Sequence, residues 1–475
     1  MAERQPKKLV FCFDGTSNTL DRPHPTNVAI TAAAVRNSSK KGPQIVYYDE
    51  GVGSGSWTDK IAGGAVGKGL YERVIEAYKF LVFNHEPGDE IFIFGFSRGA
   101  YTARSFAGLV HHIGVVNSCY AEKIHVAAAL YQNRNPKAAI EELDDLTSFR
   151  QEFVPDTCAN IADRAWRQAN VEGFDEALPL VQIKYIGVWD TVKTIGDPML
   201  GDRDGDGEYD AAEFHDHHLY PEVESARHAI AIDERRKKFN VTPWENVDAL
   251  NRNLGIALDD PDRPYQQLWF PGGHGSVGGG GDIRGLSDEG LEWILEGAKR
   301  KGLAFDTSGY SKIWGIRPDV LAPLENSSGK KSWAPAEVIM RNLPKMDRDG
   351  PKAIHEVSTS AIVRWAAPAT ADRALYRPHP LAHLEDELNA AAEQYAAWEF
   401  AARGGFEGDP LPAAVDQNGN ALRRYTIQSG DLLEKVAEKE LGDEARVGEI
   451  LALNRTTIMD PDRYYAGQII NLPMA

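Results

Sequence analysis

The stretch Glu90-Ile-Phe-Ile-Phe-Gly-Phe-Ser97-Arg-Gly-Ala-Tyr-Thr-Ala-Arg104 decides the fold. An apolar run ends at Gly95, a serine follows at position 97, and a helix-compatible run begins after Gly99. This order of strand, sharp turn and helix is the context in which G-x-S-x-G forms a nucleophile elbow. Side chains at positions 95 and 99 would collide with the neighbouring strand and helix, because the turn is tight and strained. The stretch predicts a nucleophilic Ser97, the alternative being a glycine-rich turn without chemistry.

Other apolar runs share the pattern of a buried strand that ends in a polar or glycine-rich turn. They cover residues 8–13, 44–48, 182–188 and 265–270, and with residues 91–94 they make five predicted strands. Helix-compatible stretches lie between them, for example residues 70–84. Strands that alternate with helices indicate a doubly wound, mainly parallel sheet. In such sheets the functional groups gather at the carboxyl ends of the strands.

Asp190 and His274 stand just after two of these strands, as Ser97 does. The chain order Ser, Asp, His is that of the α/β-hydrolases. His274 would take the proton of Ser97 as general base, and Asp190 would hold the imidazole in the required tautomer. The alternatives are that Asp190 caps a turn and that His274 is a turn histidine bonded to backbone.

An oxyanion hole needs two N–H donors beside the nucleophile. The backbone N–H of Arg98, at the start of the helix after the elbow, is the first candidate. The second is expected in the loop after the first strand, at Gly15 or Thr16.

Two further glycine-rich segments resemble nucleotide-binding motifs and do not fit them. Residues 63–69 lack the first glycine of a phosphate loop and have Gly69 where Ser or Thr would bind magnesium. The Gly-His-Gly-Ser-Val-Gly run at His274 matches G-x-G-x-x-G, but it follows several helical units instead of opening an early one. Nucleotide binding is the weaker interpretation of both.

The composition excludes some classes of function. The 475 residues suffice for two or three domains, and the net charge of -18 disfavours nonspecific binding to nucleic acid or to anionic membranes. The three cysteines, Cys12, Cys119 and Cys158, show neither zinc spacing nor a disulfide framework. No apolar run approaches the roughly 20 residues of a membrane span. The N-terminal run is too short for a signal peptide, so we expect synthesis in the cytoplasm and export by a signal-independent route.

An acidic loop within the body fits the twelve-residue EF-hand template. Gly207 occupies the sharp turn at position 6. The predicted calcium ligands are Asp202, Asp204, Asp206, Glu208 (through its carbonyl), Asp210 and Glu213. Because the flanks do not look like paired helices, we expect a structural calcium loop, the alternative being a solvated acidic loop. A histidine run (His215, His217 and His218) follows, and a polar surface is favoured there over a metal site.

The remaining body gives weaker signals. Residues 226–239 are predicted to be a charged helix, and residues 286–301 another. Residues 302–380 are irregular and rich in proline and tryptophan, which suggests a cap over the strand ends. A helix over residues 384–403 and a Gly/Pro/Asp-rich linker up to residue 420 follow.

The last 50 residues or so form a compact pattern of strand, helix, helix and strand. The segments Tyr425-Thr-Ile-Gln-Ser-Gly-Asp-Leu-Leu, Leu441-Gly-Asp and Tyr465-Ala-Gly-Gln-Ile-Ile-Asn-Leu-Pro resemble a LysM domain. The resemblance implies binding of N-acetylglucosamine-containing glycans such as peptidoglycan, although some LysM modules are only spacers. The residues it implies for glycan contact are Ser429, Gly430, Asp431, Leu432, Asn454 and Ile458.

The body up to residue 381 resembles the type VI secretion lipase effector family 1 phospholipases and their uncharacterised α/β-hydrolase relatives. The shared segments are Phe13-Asp-Gly-Thr-Ser-Asn, Tyr48-Asp-Glu-Gly-Val-Gly, Gly95-Phe-Ser-Arg-Gly-Ala-Tyr-Thr-Ala-Arg, Gly187-Val-Trp-Asp-Thr-Val, Ala226-Arg-His-Ala-Ile-Ala-Ile-Asp-Glu-Arg-Arg and Trp269-Phe-Pro-Gly-Gly-His. The resemblance implies a Ser97–Asp190–His274 triad and hydrolysis of phospholipids.

Together these observations predict an α/β-hydrolase domain over residues 1–383, with a calcium-loop insertion at 197–214 and a cap at 302–380. A helix and linker (384–422) and a LysM domain (423–475) would follow. The expected function is a serine esterase, a phospholipase A that acts on bacterial membranes in the periplasm or target envelope and is held at the wall by its tail. Secretion-apparatus and immunity proteins would be its partners. The alternatives are a degenerate hydrolase that only binds peptidoglycan, and an esterase for another acyl ester.

Overall fold

The computed structural model of the protein describes residues 4–15, 18–39, 42–51, 65–133, 144–192, 217–306, 316–328, 346–369, 373–402, 422–426, 432–454 and 469–474. These residues contain a seven-stranded sheet and a separate two-stranded sheet. The strands of the larger sheet are β1 (Lys8–Phe13), β2 (Ser38–Ser39), β3 (Gly42–Asp49), β4 (Glu90–Phe96), β5 (Gln182–Trp189), β6 (Ala226–Ala231) and β7 (Tyr265–Phe270). The smaller sheet consists of β8 (Leu422–Thr426) and β9 (Ile469–Pro473).

The larger sheet is doubly wound and mainly parallel. Its strand order is β2-β3-β1-β4-β5-β6-β7. β1 pairs in parallel with β3 and with β4, β4 with β5, and β5 with β6, whereas the short β2 is antiparallel to β3. The chain starts inside the sheet, reaches one edge and then returns to build the other, which is the winding predicted from the alternation of strands and helices.

Helices connect and cover the strands. They are α1 (Asn27–Ala34), α2 (Ala65–Asn84), α3 (Arg98–Ile113), α4 (Ile124–Gln132), α5 (Asp144–Phe153), α6 (Ile161–Asn170), α7 (Val247–Asn253), α8 (His274–Gly278), α9 (Gly285–Arg300), α10 (Thr359–Ala366), α11 (Glu385–Ala402), α12 (Leu433–Leu441) and α13 (Val447–Leu453). Short 3-10 helices cover Ser118–Lys123, Lys237–Phe239, Ile354–Glu356, His379–Leu384 and Glu444–Arg446.

The centre of the sheet is buried on both faces. Every residue of β1 is buried, as are all but the first residue of β4. The aromatic rings of Phe11 in β1 and Phe106 in α3 lie 4.5 Å apart between their centroids, which ties the elbow helix to the central strand. Strands covered on both faces are near-continuous apolar runs instead of alternating ones, and this explains why β1 and β4 were predictable.

Two compact units divide the chain. One consists of Met1–Leu258, Pro264–Leu268 and Gly272–Arg348, and the other of Asp259–Arg263, Trp269–Pro271 and Asp349–Ala475. In the second unit Trp365 of α10 donates its indole N–H to the Asn389 side chain of α11 at 2.9 Å. The domain limits proposed from the sequence stay predictions.

The C-terminal module has the predicted β-α-α-β order. β8 and β9 pair antiparallel, and α12 and α13 lie between them in the chain. Its own small core is formed by Leu433, Val436, Ala437, Leu441, Ile450, Ile470 and Leu472. Gly442 ends α12 in the left-handed conformation (φ 80°), which glycine adopts without a Cβ penalty.

The predicted helix over residues 226–239 is wrong. Its first part is strand β6, buried at all six positions, and only Lys237–Phe239 forms a short 3-10 helix. Arg227, one of the charged side chains that suggested a solvated helix face, is paired in the interior, where it bonds the Trp293 carbonyl and the Glu296 carboxylate. Burial beside β5 therefore overrode the polar pattern.

The glycines of the elbow have no room for side chains. A Cβ at Gly95 would lie 2.6 Å from the Gly99 carbonyl oxygen, and one at Gly99 would lie 2.5 Å from that of Asp14. These contacts are with backbone, which cannot move aside cheaply.

We expect Gly99→Ala to destabilise the protein by about 3 kcal/mol, since overpacking against backbone strains both β1 and α3. The free energy of unfolding, measured by denaturant titration, checks this. Gly448→Ala in α13 is the control, because nothing lies within 4 Å of a Cβ there. Equal stability of the two variants would contradict the steric role of Gly99.

Candidate active site

Ser97 lies in a sharp turn between β4 and α3. Its backbone has φ 58° and ψ -126°, which is strained for a residue with a side chain. Its N–H donates to the Trp189 carbonyl at 3.0 Å, and its carbonyl accepts from the Val192 N–H at 3.3 Å. The turn of the predicted nucleophile is therefore bonded directly to the end of β5, where Asp190 follows.

Asp190 is the second strained residue. With φ 39°, it and Ser97 are the two non-glycine residues at positive φ within the described ranges. Its carboxylate is fully buried, and its Oδ1 accepts from the Ala231 N–H at 2.9 Å. Strain of this kind persists where the surrounding structure fixes it, and it clusters at functional sites.

His274 begins α8, and its imidazole lies against Asp190. The His274 Nδ1 is 2.6 Å from Asp190 Oδ2. The ring packs between Phe96, with centroids 4.6 Å apart, and Phe239, at 4.8 Å. The structure thus brings the predicted acid, Asp190, and the predicted base, His274, into contact. The His274 ring also packs against Phe96, the residue that precedes Ser97.

Two further residues, which the sequence did not indicate, contact Asp190 and His274. Arg348 binds Asp190 with both terminal nitrogens, Nη1 to Oδ1 at 2.6 Å and Nη2 to Oδ2 at 3.0 Å. Glu234 accepts the backbone N–H of His274 at 3.2 Å. Burial alone would raise the pKa of Asp190, but Arg348 and the His274 hydrogen bond outweigh it and hold that pKa well below its usual range.

The signals for these two residues in the sequence are faint. Arg348 stands in a short Asp-Arg-Asp run within the irregular region, and nothing local distinguishes it from a surface arginine. Only the rule that a buried carboxylate needs a partner could have prompted a search for a cation far along the chain.

The predicted oxyanion donors differ in whether their N–H groups are available. Arg98 opens α3, where backbone N–H groups lack intrahelical acceptors. Gly15 is beside Ser97, since a Cβ on it would be 3.3 Å from the serine Cβ. However, its N–H donates to the Asp14 carboxylate at 2.6 Å, so in this structure it is not available to an oxyanion. Thr16 lies outside the described residues.

Asp14 organises that loop. Its carboxylate is buried and also accepts from Thr26 Oγ1 at 2.5 Å, Tyr48 Oη at 2.8 Å and Asn18 Nδ2 at 3.2 Å. Burial raises its pKa, although the hydrogen bonds act in the opposite direction. Since four donors already satisfy it, Asp14 holds the loop beside the nucleophile in place.

His228 of β6 supports the residue after Asp190. Its Nε2 accepts from the Thr191 N–H at 3.1 Å, so the ring must carry its proton on Nδ1, which lies 3.0 Å from Gln267 Oε1. Burial lowers the pKa of His228 to about 3, and the nearby Arg104 adds to this. The imidazole is therefore neutral at physiological pH.

The metal and glycan predictions fall largely outside the described residues. All six calcium ligands, from Asp202 to Glu213, do so, as do Ser429, Gly430, Asp431 and Ile458. His217 and His218 lie 3.9 and 3.8 Å from the Glu245 carboxylate, in a polar surface setting.

Two of the residues predicted to contact glycan, Leu432 and Asn454, lie within the described residues and differ in their exposure. Leu432 is 57% exposed and therefore open to a ligand. Asn454 is buried, and its amide bonds the Ile450 carbonyl and the backbone of Asn471. Its side chain joins α13 to β9, and its role in glycan contact stays a prediction.

Comparison with known proteins identifies a family for this chain. The family model described as "T6SS, Phospholipase effector Tle1-like, catalytic domain" matches residues 7–297. An uncharacterized protein of Saccharomyces cerevisiae, YEL023C, is 26% identical over 253 residues, which are 49% of this chain and 32% of the yeast protein.

Two solved structures are similar. The Tle1 effector bound to the VgrG spike of the type 6 secretion system has 18% identity and a TM-score of 0.29, over 57% of this chain and 51% of that one. An uncharacterized protein from Pseudomonas aeruginosa has 15% identity and a TM-score of 0.33, over 97% and 64%. The chain thus spans less than two thirds of the length of each of these relatives. Among its described helices, none is long and apolar enough to cross a bilayer.

The buried histidine makes stability depend on pH. His228 has a folded-state pKa of about 3 against an ordinary 6.5, so between these values the unfolded chain binds the extra proton and stability falls as pH falls. We expect this group to remove about 3 kcal/mol between pH 6.5 and 4. His228→Gln offers an acceptor and a donor without titrating, so its free energy of unfolding should fall less steeply. Parallel pH profiles of the two proteins in denaturant titrations would contradict this origin.

Proposed function

The chain belongs to the Tle1-like family of type VI secretion phospholipase effectors, and from this membership and the geometry of the site we propose that it is a serine esterase acting as a phospholipase A. The observation that carries the proposal is the 2.6 Å contact of His274 Nδ1 with Asp190, in a histidine whose ring packs against Phe96, the neighbour of a serine held at φ 58°. An imidazole fixed by a buried carboxylate, next to a strained serine, is the arrangement that acyl transfer requires.

The proposed reaction has two half-steps. Ser97 Oγ attacks the ester carbonyl while His274 Nε2 takes its proton, and the carbonyl electron pair moves onto oxygen. The tetrahedral intermediate then expels the lysophospholipid alcohol, which receives that proton from His274. Water, activated by the same histidine, attacks the acyl-enzyme and releases the fatty acid. Asp190 stays ionised throughout and holds the imidazole.

The oxyanion would rest on backbone donors. The N–H of Arg98 is the first, because the elbow directs the start of α3 toward the nucleophile. The second donor is assigned to Thr16, since the Gly15 N–H is bonded to Asp14.

A phosphate-bearing substrate suits the charge beside the nucleophile. The Arg98 guanidinium is partly buried, and burial together with the neighbouring Arg73 lowers its pKa to about 10. Arg73 is bonded to the Asp49 carboxylate and to the Asp14 backbone carbonyl. Four other donors hold the Asp14 carboxylate, so both acidic groups are engaged elsewhere. A guanidinium of this kind fits the phosphate of a phospholipid head group better than it fits a neutral ester.

The C-terminal module favours a second role, attachment to the cell wall. Its β-α-α-β order, its own core and the exposed Leu432 at the start of α12 support the LysM interpretation. Peptidoglycan is the proposed ligand. The tail would hold the enzyme close to the membrane that it attacks.

Calcium and delivery are further parts of the proposal. The loop of Asp202, Asp204, Asp206, Glu208, Asp210 and Glu213 would hold a structural Ca²⁺, on the strength of its sequence template alone. A secretion spike would carry the protein to a target envelope, and an immunity protein would protect the producer.

We expect Ser97→Ala to lower phospholipid hydrolysis by about a thousandfold or more, because the nucleophile is lost while the binding groups remain. Lysophospholipid and fatty acid released from mixed phospholipid vesicles are measured by mass spectrometry. Ser118→Ala, the same change at an exposed site, is the control.

The outcomes separate the alternatives. Full activity of Ser97→Ala would end the triad assignment. Hydrolysis of neutral acyl esters without phospholipid turnover by the wild type would identify a different ester as substrate. No hydrolysis, combined with retention on cell walls, would leave a binding protein.

We expect purified peptidoglycan sacculi to retain the full chain and to release it when residues 423–475 are deleted, with esterase activity unchanged. Within the full chain, Leu432→Ser should weaken retention about tenfold, since it removes an exposed apolar contact. Glu434→Ser, on the exposed face of α12, is the matched control. Equal retention of all these proteins would mean that the module is a spacer.

A further inference from the structure

Arg348 meets the predicted catalytic acid from far along the chain. Besides its two bonds to Asp190, its Nη1 donates to the Ala231 carbonyl at 2.8 Å and its Nη2 to that of Phe239 at 2.5 Å. Both partners, Arg348 and Asp190, are almost completely buried. Four hydrogen bonds in a dry setting fix the guanidinium in one orientation.

The segment that carries Arg348 is bonded to the loop after β6. The Met346 N–H donates to the Arg235 carbonyl at 2.8 Å, and Asp347 pairs with the Arg235 side chain at 2.7 Å. The same loop contains Glu234, which holds the His274 backbone. One network therefore surrounds the acid–base pair on the side away from β5.

The other charged groups around the pair are already compensated. Glu234 is bonded to Arg236, and Asp233 accepts the Gly272 N–H at 2.6 Å. His228 is neutral and bonds Thr191. Arg104 donates to the Thr242 carbonyl behind it. Asp190 is thus the charge in direct contact with the His274 imidazole, and Arg348 acts on the imidazole through Asp190. The Glu234 carboxylate also interacts with it, from beside the His274 backbone.

The bidentate pair changes what the acid does. In a triad whose carboxylate has no cation, the negative charge favours the imidazolium that forms when the serine proton arrives. Here the guanidinium neutralises that charge, and it repels a second positive charge placed on the far side of the carboxylate. The imidazolium that forms during the reaction is therefore stabilised less by Asp190, and it gives its proton more readily to the leaving alkoxide.

We propose that Arg348 is a positioning residue that neutralises Asp190, holds it in register with His274 and thereby limits how strongly the carboxylate stabilises the imidazolium during the reaction. This inference rests on the proposed serine esterase function, because it concerns the proton that Ser97 passes to His274. It adds a fourth member to the site.

The test is the rate at which a fluorophosphonate labels Ser97 of the full chain, measured between pH 4.5 and 8.5. The phosphorylated serine forms only when His274 can accept the Ser97 proton, so the rate falls on the acid side as the imidazole becomes protonated. Removing the cation should move the half-point of Arg348→Gln upward by about one pH unit or more, which corresponds to a tenfold or greater loss of rate on the acid limb.

Two further variants isolate the charge. Arg348→Lys keeps the charge and loses the second hydrogen bond, so its half-point should stay near that of the wild type while the maximal rate falls. Arg235→Gln removes a cation from the same segment without touching Asp190, and its profile should match the wild type. Thermal unfolding shows which variants are folded; if Arg348→Gln is not, Arg348→Met, which also removes the charge and has an unbranched side chain, takes its place with the same expected shift.

Different results would overturn the inference about Arg348 and the proposed esterase function. An unchanged half-point in Arg348→Gln, or a half-point of Arg348→Lys raised by a full unit, would overturn the inference and leave the esterase proposal intact. A wild-type protein that no fluorophosphonate labels at any pH would overturn the proposed function itself, and this inference with it.

Discussion

A buried carboxylate that must find partners is the constraint on which this site depends. Asp190 has no access to solvent, and an unpaired charge in such a place would cost several kcal/mol. It is satisfied by an imidazole, a guanidinium and a backbone N–H, which come from three separated parts of the chain. Each of these parts must therefore be in place before the acid can be buried. This requirement joins formation of the site to formation of the domain.

The strained backbone of Ser97 likewise depends on the residues around it. A serine at φ 58° costs on the order of 1–3 kcal/mol, and the turn persists because its neighbours allow no alternative. Gly95 and Gly99 let the backbones of β1, β4 and α3 approach closely, and Asp14 fixes the adjoining loop through four donors. The packing of the central strands stabilises the strained turn.

Much of the fold was predictable from the sequence, and the reason is local. Strands β1 and β4 are near-continuous apolar runs, β5 and β7 end in apolar residues, and the glycine pattern around Ser97 admits few conformations. The pairing of Asp190 with His274 followed from their positions after two such strands. Strand β6 was missed because Arg227 and His228 look solvent-exposed in sequence, whereas tertiary partners satisfy both inside the protein. Arg348 could not be found because its role exists only through a contact 158 positions away.

The hydrogen bonds between the elbow and the end of β5 have a consequence for how such proteins diversify. Gly95 and Phe96 pair with Val188 and Trp189 in adjacent parallel strands. The separation of nucleophile and acid is thus fixed by the spacing of neighbouring strands, about 4.8 Å, and not by the connections that follow them. The chain after Val192 is free to gain or lose whole segments without altering that separation. Because the sheet fixes this separation, segments that recognise substrate can be added at the carboxyl ends of its strands without displacing the reacting atoms.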